Sequence, residues 1–169
     1  MRPMMQAVKD KFGDQELIGA EVGVQRGNHA RSMFRNFQIK QLVLVDIWDS
    51  EITNPHLLGD AVPASELYEI VKIKFQPFPQ TILHRALSNV ACKLYPNNYF
   101  DFIYIDASHA YKNVKIDCDC WYPKLKSNGI IGGHDYFYYS GCRRAVDEFV
   151  EHNNLNLNSA TPDWWVVKS

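Results

Sequence analysis

Short apolar runs and amphipathic stretches take turns along this chain. Ile18–Val24, Gln41–Asp46, Gln80–His84, Phe100–Asp106 and Gly129–Gly133 are mostly apolar and bounded by glycine or polar residues. Runs of this kind predict parallel strands buried on both faces. Between them, apolar positions recur at helical spacing in residues 4–12, Asn28–Phe37, Ala64–Phe75, Asn89–Leu94, Lys112–Lys126 and Gly141–His152. Asn28 is placed to cap its helix, and Pro123 should break or bend the fifth. Leu155–Ala160 and Trp164–Lys168 read as two more strands with only Thr161-Pro162-Asp163 between them, so they must form a hairpin. Strands alternating with helices predict an α/β fold. Its form is a doubly wound, mostly parallel seven-stranded sheet with a C-terminal antiparallel hairpin. No repeat or linker interrupts the pattern, so residues 1–169 are expected to form one domain.

Composition narrows the class. Hydrophobic residues are 46%, charged residues 22% and aromatics 13% of 169, which excludes a disordered or fibrous chain. The net charge is -1, so no basic surplus exists to meet a phosphate backbone, and nucleic acid is not the expected partner. The apolar runs fall far short of a membrane span, and the first residues lack the apolar core of a signal peptide. Cys92, Cys118, Cys120 and Cys142 have neither a disulfide-framework nor a zinc spacing. Reduced thiols in a cytoplasmic protein are the expectation.

In doubly wound sheets, ligands bind beyond the carboxyl ends of the strands. Residues that follow each strand therefore carry the candidate chemistry. After the first come Glu21-Val22-Gly23-Val24-Gln25-Arg26-Gly27, a turn where glycine lets a ligand approach the backbone. The dinucleotide pattern G-x-G-x-x-G fails there, because Gln25 stands in place of its second glycine. Asp46 closes the second strand, where a carboxylate can accept from a ribose diol, and Trp48 can stack on a purine. Asp106 and His109 follow the fourth strand, and His134-Asp135 follow the fifth. Two carboxylates with imidazoles nearby make a divalent-metal site, and His109 can accept a proton near neutral pH.

Taken together, Glu21-x-Gly23-x-x-x-Gly27, Asp46, Phe102–Tyr111 and Gly129–Tyr136 resemble class I S-adenosylmethionine-dependent methyltransferases. The small subgroup related to macrolide-sugar and other sugar O-methyltransferases is the nearest in pattern. The resemblance runs from about Leu17 to Lys168. It implies the Rossmann-like methyltransferase fold and S-adenosylmethionine as cofactor. Glu21, Gly23, Val24, Gln25 and Gly27 would wrap its methionine part. Asp46 would hold the ribose and Trp48 would lie near the adenine, with Ala86, Leu87 and Ser88. Asp106, His134 and Asp135 match metal-ligand positions, with Mg²⁺ the implied ion, and Asp106 also borders the cofactor. His109 and Asp106 would be catalytic, His109 as the base. His134-Asp135 departs from the Asp-Asp or Asp-Asn of metal-dependent relatives, which leaves binding through a His/Asp set, weak binding and no metal all open.

The expected reaction is O-methylation of a small molecule or sugar. The rival is a non-catalytic cofactor-binding or scaffold protein on the same fold. An amine methyltransferase acting on nucleic acid would carry Asn/Asp-Pro-Pro-aromatic after the fourth strand, where this chain has Asp106-Ala107-Ser108-His109. Asp49–Pro63 is expected to act as a lid and Tyr136–Tyr139 as an aromatic wall. So little chain precedes the first strand that a homo-oligomer could complete the substrate cover.

Overall fold

The computed structural model describes residues 1–48 and 63–169. Among the described residues, six α-helices and seven strands follow one another as α1 (Pro3–Phe12), β1 (Glu16–Val22), α2 (Asn28–Asn36), β2 (Gln38–Asp46), α3 (Ala64–Phe75), β3 (Thr81–Arg85), α4 (Ser88–Ala91), β4 (Phe100–Ile105), α5 (Tyr111–Trp121), β5 (Leu125–Gly133), α6 (Ser140–His152), β6 (Asn158–Ala160) and β7 (Asp163–Val167). The strands form one sheet in the order β3-β2-β1-β4-β5-β7-β6. β1 to β5 pair in parallel, while β7 runs antiparallel to both β5 and β6. This is the doubly wound, mostly parallel sheet with a terminal hairpin that the alternation predicts.

Each face of the sheet carries its own core. On one side, Met4, Met5 and Val8 of α1 pack with Ala30 and Met33 of α2 and with Leu67, Val71 and Phe75 of α3. On the other, Ala91 of α4 joins Val114, Cys118 and Trp121 of α5 and Cys142, Ala145, Val146 and Phe149 of α6. The central strands serve both cores, so Leu42, Val43, Leu44 and Val45 are all buried. That is why β2 reads as a continuous apolar run rather than an alternating one.

Several boundaries move for local reasons. β1 ends at Val22, two residues before the predicted limit, because Gly23 turns the chain at φ +88. α5 ends at Trp121, and Pro123 sits in a short 3₁₀ turn (Tyr122–Lys124) instead of bending a longer helix. β5 starts at Leu125, four residues early, across an irregularity in its pairing with β4 between Phe100 and Phe102. The predicted strand Leu155–Ala160 shrinks to Asn158–Ala160 at the sheet edge.

The N-terminus is held by the opposite end of the chain. Met4 N–H, in the first turn of α1, donates to Asp163 Oδ2 of β7 at 3.0 Å. A carboxylate at a helix N-terminus satisfies an amide that the helix leaves free and favours its dipole. Tyr104 donates its hydroxyl to the other oxygen, Asp163 Oδ1, at 2.8 Å. This docking carries Arg2 to the sheet edge described next.

Candidate active site

Strand register decides which side chains meet. Val22 lies beside Val45 and Ile105, and Ile105 lies beside Gly133. Residues just beyond these tips therefore share one edge. Backbone bonds continue past the strands there: Gly23 N–H donates to Val45 O, Asp106 N–H to Val22 O and His134 N–H to Ile105 O, at 2.7–3.0 Å. A cleft of about 890 Å³ opens along this edge. Glu21, Gly23, Val24, Gln25, Asp46, Trp48, Ala86, Leu87, Ser88, Asp106 and His109 line it. Gly27, His134 and Asp135 do not line it.

One part of the cleft is built from a tight turn. A Cβ on Gly23 would fall 2.0 Å from the Asp106 carbonyl oxygen, so only glycine allows β1 and β4 to part there. Gly27, at φ +69, caps α2 in the left-handed region, where its place is conformational. Asp46 Oδ2 accepts the N–H groups of Val24 and Gln25, both at 2.8 Å, and Oδ1 accepts that of Trp48 at 3.0 Å. Trp48 is only 1% exposed, packs on Tyr68, and donates its indole N–H to the Gln25 carbonyl at 2.9 Å. Asp46 and Trp48 thus rivet the turn after β1 to the tip of β2.

Glu21 and His29 lie beneath the turn, and both face the cleft. Glu21 is 2% exposed, and its Oε1 meets His29 Nδ1 at 2.9 Å. Burial pushes its carboxyl above the ordinary range, against the opposing pull of His29. Glu21 Oε2 and His29 Nε2 are buried without a hydrogen-bond partner. Unsatisfied buried polar atoms are rare, and here they border an open cleft. An acidic acceptor in that position fits the ammonium group of a bound amino acid.

At the tips of β4 and β5 the chemistry is ionic. His109 Nε2 lies 2.7 Å from Asp135 Oδ2, and His134 Nδ1 lies 2.8 Å from Asp135 Oδ1. A carboxylate only accepts, so each of those ring nitrogens carries the proton. The bond to Asp135 raises the His109 pKa against the opposing effect of burial. Burial works to raise the Asp135 pKa, but the bonds from His109 and His134 leave it below the ordinary value. His109 stacks on Tyr139 with ring centroids 4.1 Å apart and planes at 7°. Asp135 sits at φ +72, a left-handed conformation uncommon for a non-glycine residue. Asp106 Oδ2 accepts from Arg2 Nη1 at 2.8 Å, and the same nitrogen reaches Tyr104 Oη at 2.6 Å.

Asp106, His134 and Asp135 bring one ligand atom each within 4.8 Å of one another. The set does not fit Mg²⁺. That ion demands near-octahedral oxygen coordination and dehydrates reluctantly. Here the third donor is an imidazole, the Arg2 cation bonds directly to Asp106, and both oxygens of Asp135 are engaged by imidazoles. The donor set of the cleft does fit S-adenosylmethionine: an open buried carboxylate for its ammonium, glycine-shaped backbone, and Asp46 at the strand tip.

The family model for the methyltransferase domain matches residues 20–136. The chain belongs to the methyltransferase-domain family. With the seven-stranded sheet, the match places the domain by family and fold among the class I S-adenosylmethionine-dependent methyltransferases. The match covers the turn after β1, the tips of β2 and β4, and His134-Asp135. No curated protein matches the chain in sequence. Among solved structures, the O-methyltransferase NovP is similar at 18% identity and TM-score 0.71, covering 98% of this chain and 78% of that one. An rRNA-methylase candidate from Clostridium thermocellum is similar at 10% identity and TM-score 0.69, covering 100% and 97%. Spermidine synthase from Thermotoga maritima matches at 14% identity and TM-score 0.62, covering 96% of this chain and 57% of the synthase. The chain thus spans little more than half of that synthase, and identities this low speak for the fold alone.

Sequence reasoning missed Arg2, His29 and Asp117, all of which line the cleft. Asp117 carried a readable signal, since it lies on the apolar stripe of α5 with Val114, Cys118 and Trp121. Arg2 and His29 carried none, because only tertiary docking brings them in. The expected lid falls on residues 49–62, which lie outside the described residues. Of the expected wall, Tyr139 stacks on His109 and Tyr138 lies near His134, while Phe137, Tyr138 and Tyr139 are all exposed. No helix among the described residues is long and apolar enough to cross a membrane.

Proposed function

We propose that this methyltransferase moves the methyl group of S-adenosylmethionine onto a hydroxyl oxygen of a small molecule, with sugars and catechols as the acceptor class. The observation that carries this reading is the His109–Asp135 pair beside the cleft. When bound, the donor supplies a sulfonium methyl carbon open to in-line displacement. An alcohol is a poor nucleophile until its proton is removed. With Nε2–H held by Asp135, the Nδ1 lone pair of His109 is the base that takes that proton. Asp135 stabilises the imidazolium that results, and the Tyr139 stack fixes the ring plane. The turn from Gly23 to Gly27 and the open oxygen of Glu21 position the donor, so that much of the rate comes from alignment. In this reading no metal takes part, because Arg2 already pairs with Asp106 and both oxygens of Asp135 already accept from imidazoles. The test is release of S-adenosylhomocysteine with a panel of sugars and catechols. Turnover that His109→Ala reduces strongly supports the proposal, and an unchanged rate in that variant overturns it.

A further inference from the structure

One buried carboxylate of the cleft has no place in the mechanism above. Asp117, on α5, is 5% exposed and lines the cleft together with Ala86, Leu87, Ser88 and Ile116. Ala86 to Ser88 follow β3, so sheet order puts them on the far side of Asp46 from the ionic tips of β4 and β5. Ser88 ties Asp117 to that end. The Ser88 Oγ accepts the Trp121 indole N–H at 2.8 Å and lies beside the Asp117 carboxylate. The serine expected to touch the base therefore already accepts from Trp121. What remains at this end is a pocket with apolar Ala86, Leu87 and Ile116 and one acidic acceptor.

We infer that Asp117 reads the purine of the donor, by accepting a hydrogen bond from the 6-amino group of adenine. A carboxylate accepts but does not donate, so it suits an amino group and repels a 6-carbonyl. Apolar walls suit the faces of a flat ring. Burial raises the Asp117 pKa to about 6 against the opposing effect of Ser88, and a buried polar group is costly to leave unpaired. Asp117 thus sets specificity at the end of the cleft opposite the transferred methyl. The inference rests on the donor occupying this cleft.

Calorimetry with two ligands tests it: S-adenosylhomocysteine, and its analogue with an unsubstituted purine lacking the 6-amino group. The wild-type protein should bind the first about tenfold more tightly or better, the size of one hydrogen bond to a buried charged group. Asp117→Ala should bind both within about threefold, through loss of affinity for the adenine ligand. If Asp117→Ala does not fold, the isosteric Asp117→Asn should still narrow the preference by about threefold. Equal binding of both ligands by the wild type, or a full preference kept in the variant, overturns the inference. Failure of S-adenosylhomocysteine to bind the wild type would instead remove the donor-site reading, and this inference with it.

Discussion

The two ends of the cleft edge are built in different ways. Around β1 and β2, one carboxylate, Asp46, is spent on three backbone N–H groups, and the side chain beside it, Trp48, is buried. Around β4 and β5, the polar side chains pair with one another through Arg2, His109 and His134, and all but the buried Asp135 are partly exposed. The first arrangement is a rigid mould, because moving any part breaks backbone bonds. The second can exchange partners when an acceptor arrives, since side-chain ion pairs near water are held weakly. A donor of fixed shape suits the mould, and an acceptor that must lose a proton suits the ionic rim.

This contrast can be broken from the rim first. His109→Ala should lower kcat by about 10²–10⁴-fold with little change in S-adenosylhomocysteine affinity, because the base acts only on the acceptor. Comparable losses of both would mean the two ends are not separable. The converse variant, Asp46→Ala, should weaken S-adenosylhomocysteine binding by about 10–100-fold in calorimetry, since it frees three N–H groups that shape the turn.

Gly23→Ala sharpens the rigidity claim through stability. The new Cβ would meet the Asp106 carbonyl at 2.0 Å in a left-handed backbone, a contact with main chain that cannot be relieved by a rotamer change. A loss of about 2 kcal/mol or more in denaturant unfolding is expected. Wild-type stability in that variant would show that the mould yields.

The pH profile probes the rim more gently. His109 works as a neutral ring, and its pKa is raised above 6.5. The rate should therefore rise with pH through that elevated value and then level off. Asp135→Asn should move the step to lower pH, because the charge-assisted bond that raises the His109 pKa is lost. An unmoved step would mean that Asp135 does not govern the base. The pair also affects stability, with the sign set by His109. Its contribution is complete below the unfolded pKa near 6.5 and fades as pH rises through the folded one. The smallest effect expected is that of chelation: removing divalent ions should leave the rate unchanged, and a large loss would place a metal at Asp106 and Asp135 after all.

The same division explains what could be read in the sequence. Phe100–Asp106 and Gln41–Asp46 announce buried parallel strands by their continuous apolar runs, and parallel pairing then forces their tips to one edge. Asp46, Asp106, His109, His134 and Asp135 were legible for that reason: each stands at a tip. The partners they take were not. Arg2 reaches Asp106 only because Asp163, at the far end of the chain, caps α1. His29 meets Glu21 only because Gly23 and Gly27 fold the turn between them. Trp48 was legible as a residue at the tip of β2, but its burial against Tyr68 depends on α3 packing.

The central claim is that the methyl group goes to oxygen. It is tested most directly by supplying S-adenosylmethionine labelled with ¹³C at the methyl carbon, together with sugars and catechols, and reading the product by NMR. A new O-methyl signal is predicted, and its absence from the His109→Ala reaction. A label found on nitrogen or carbon would contradict the account.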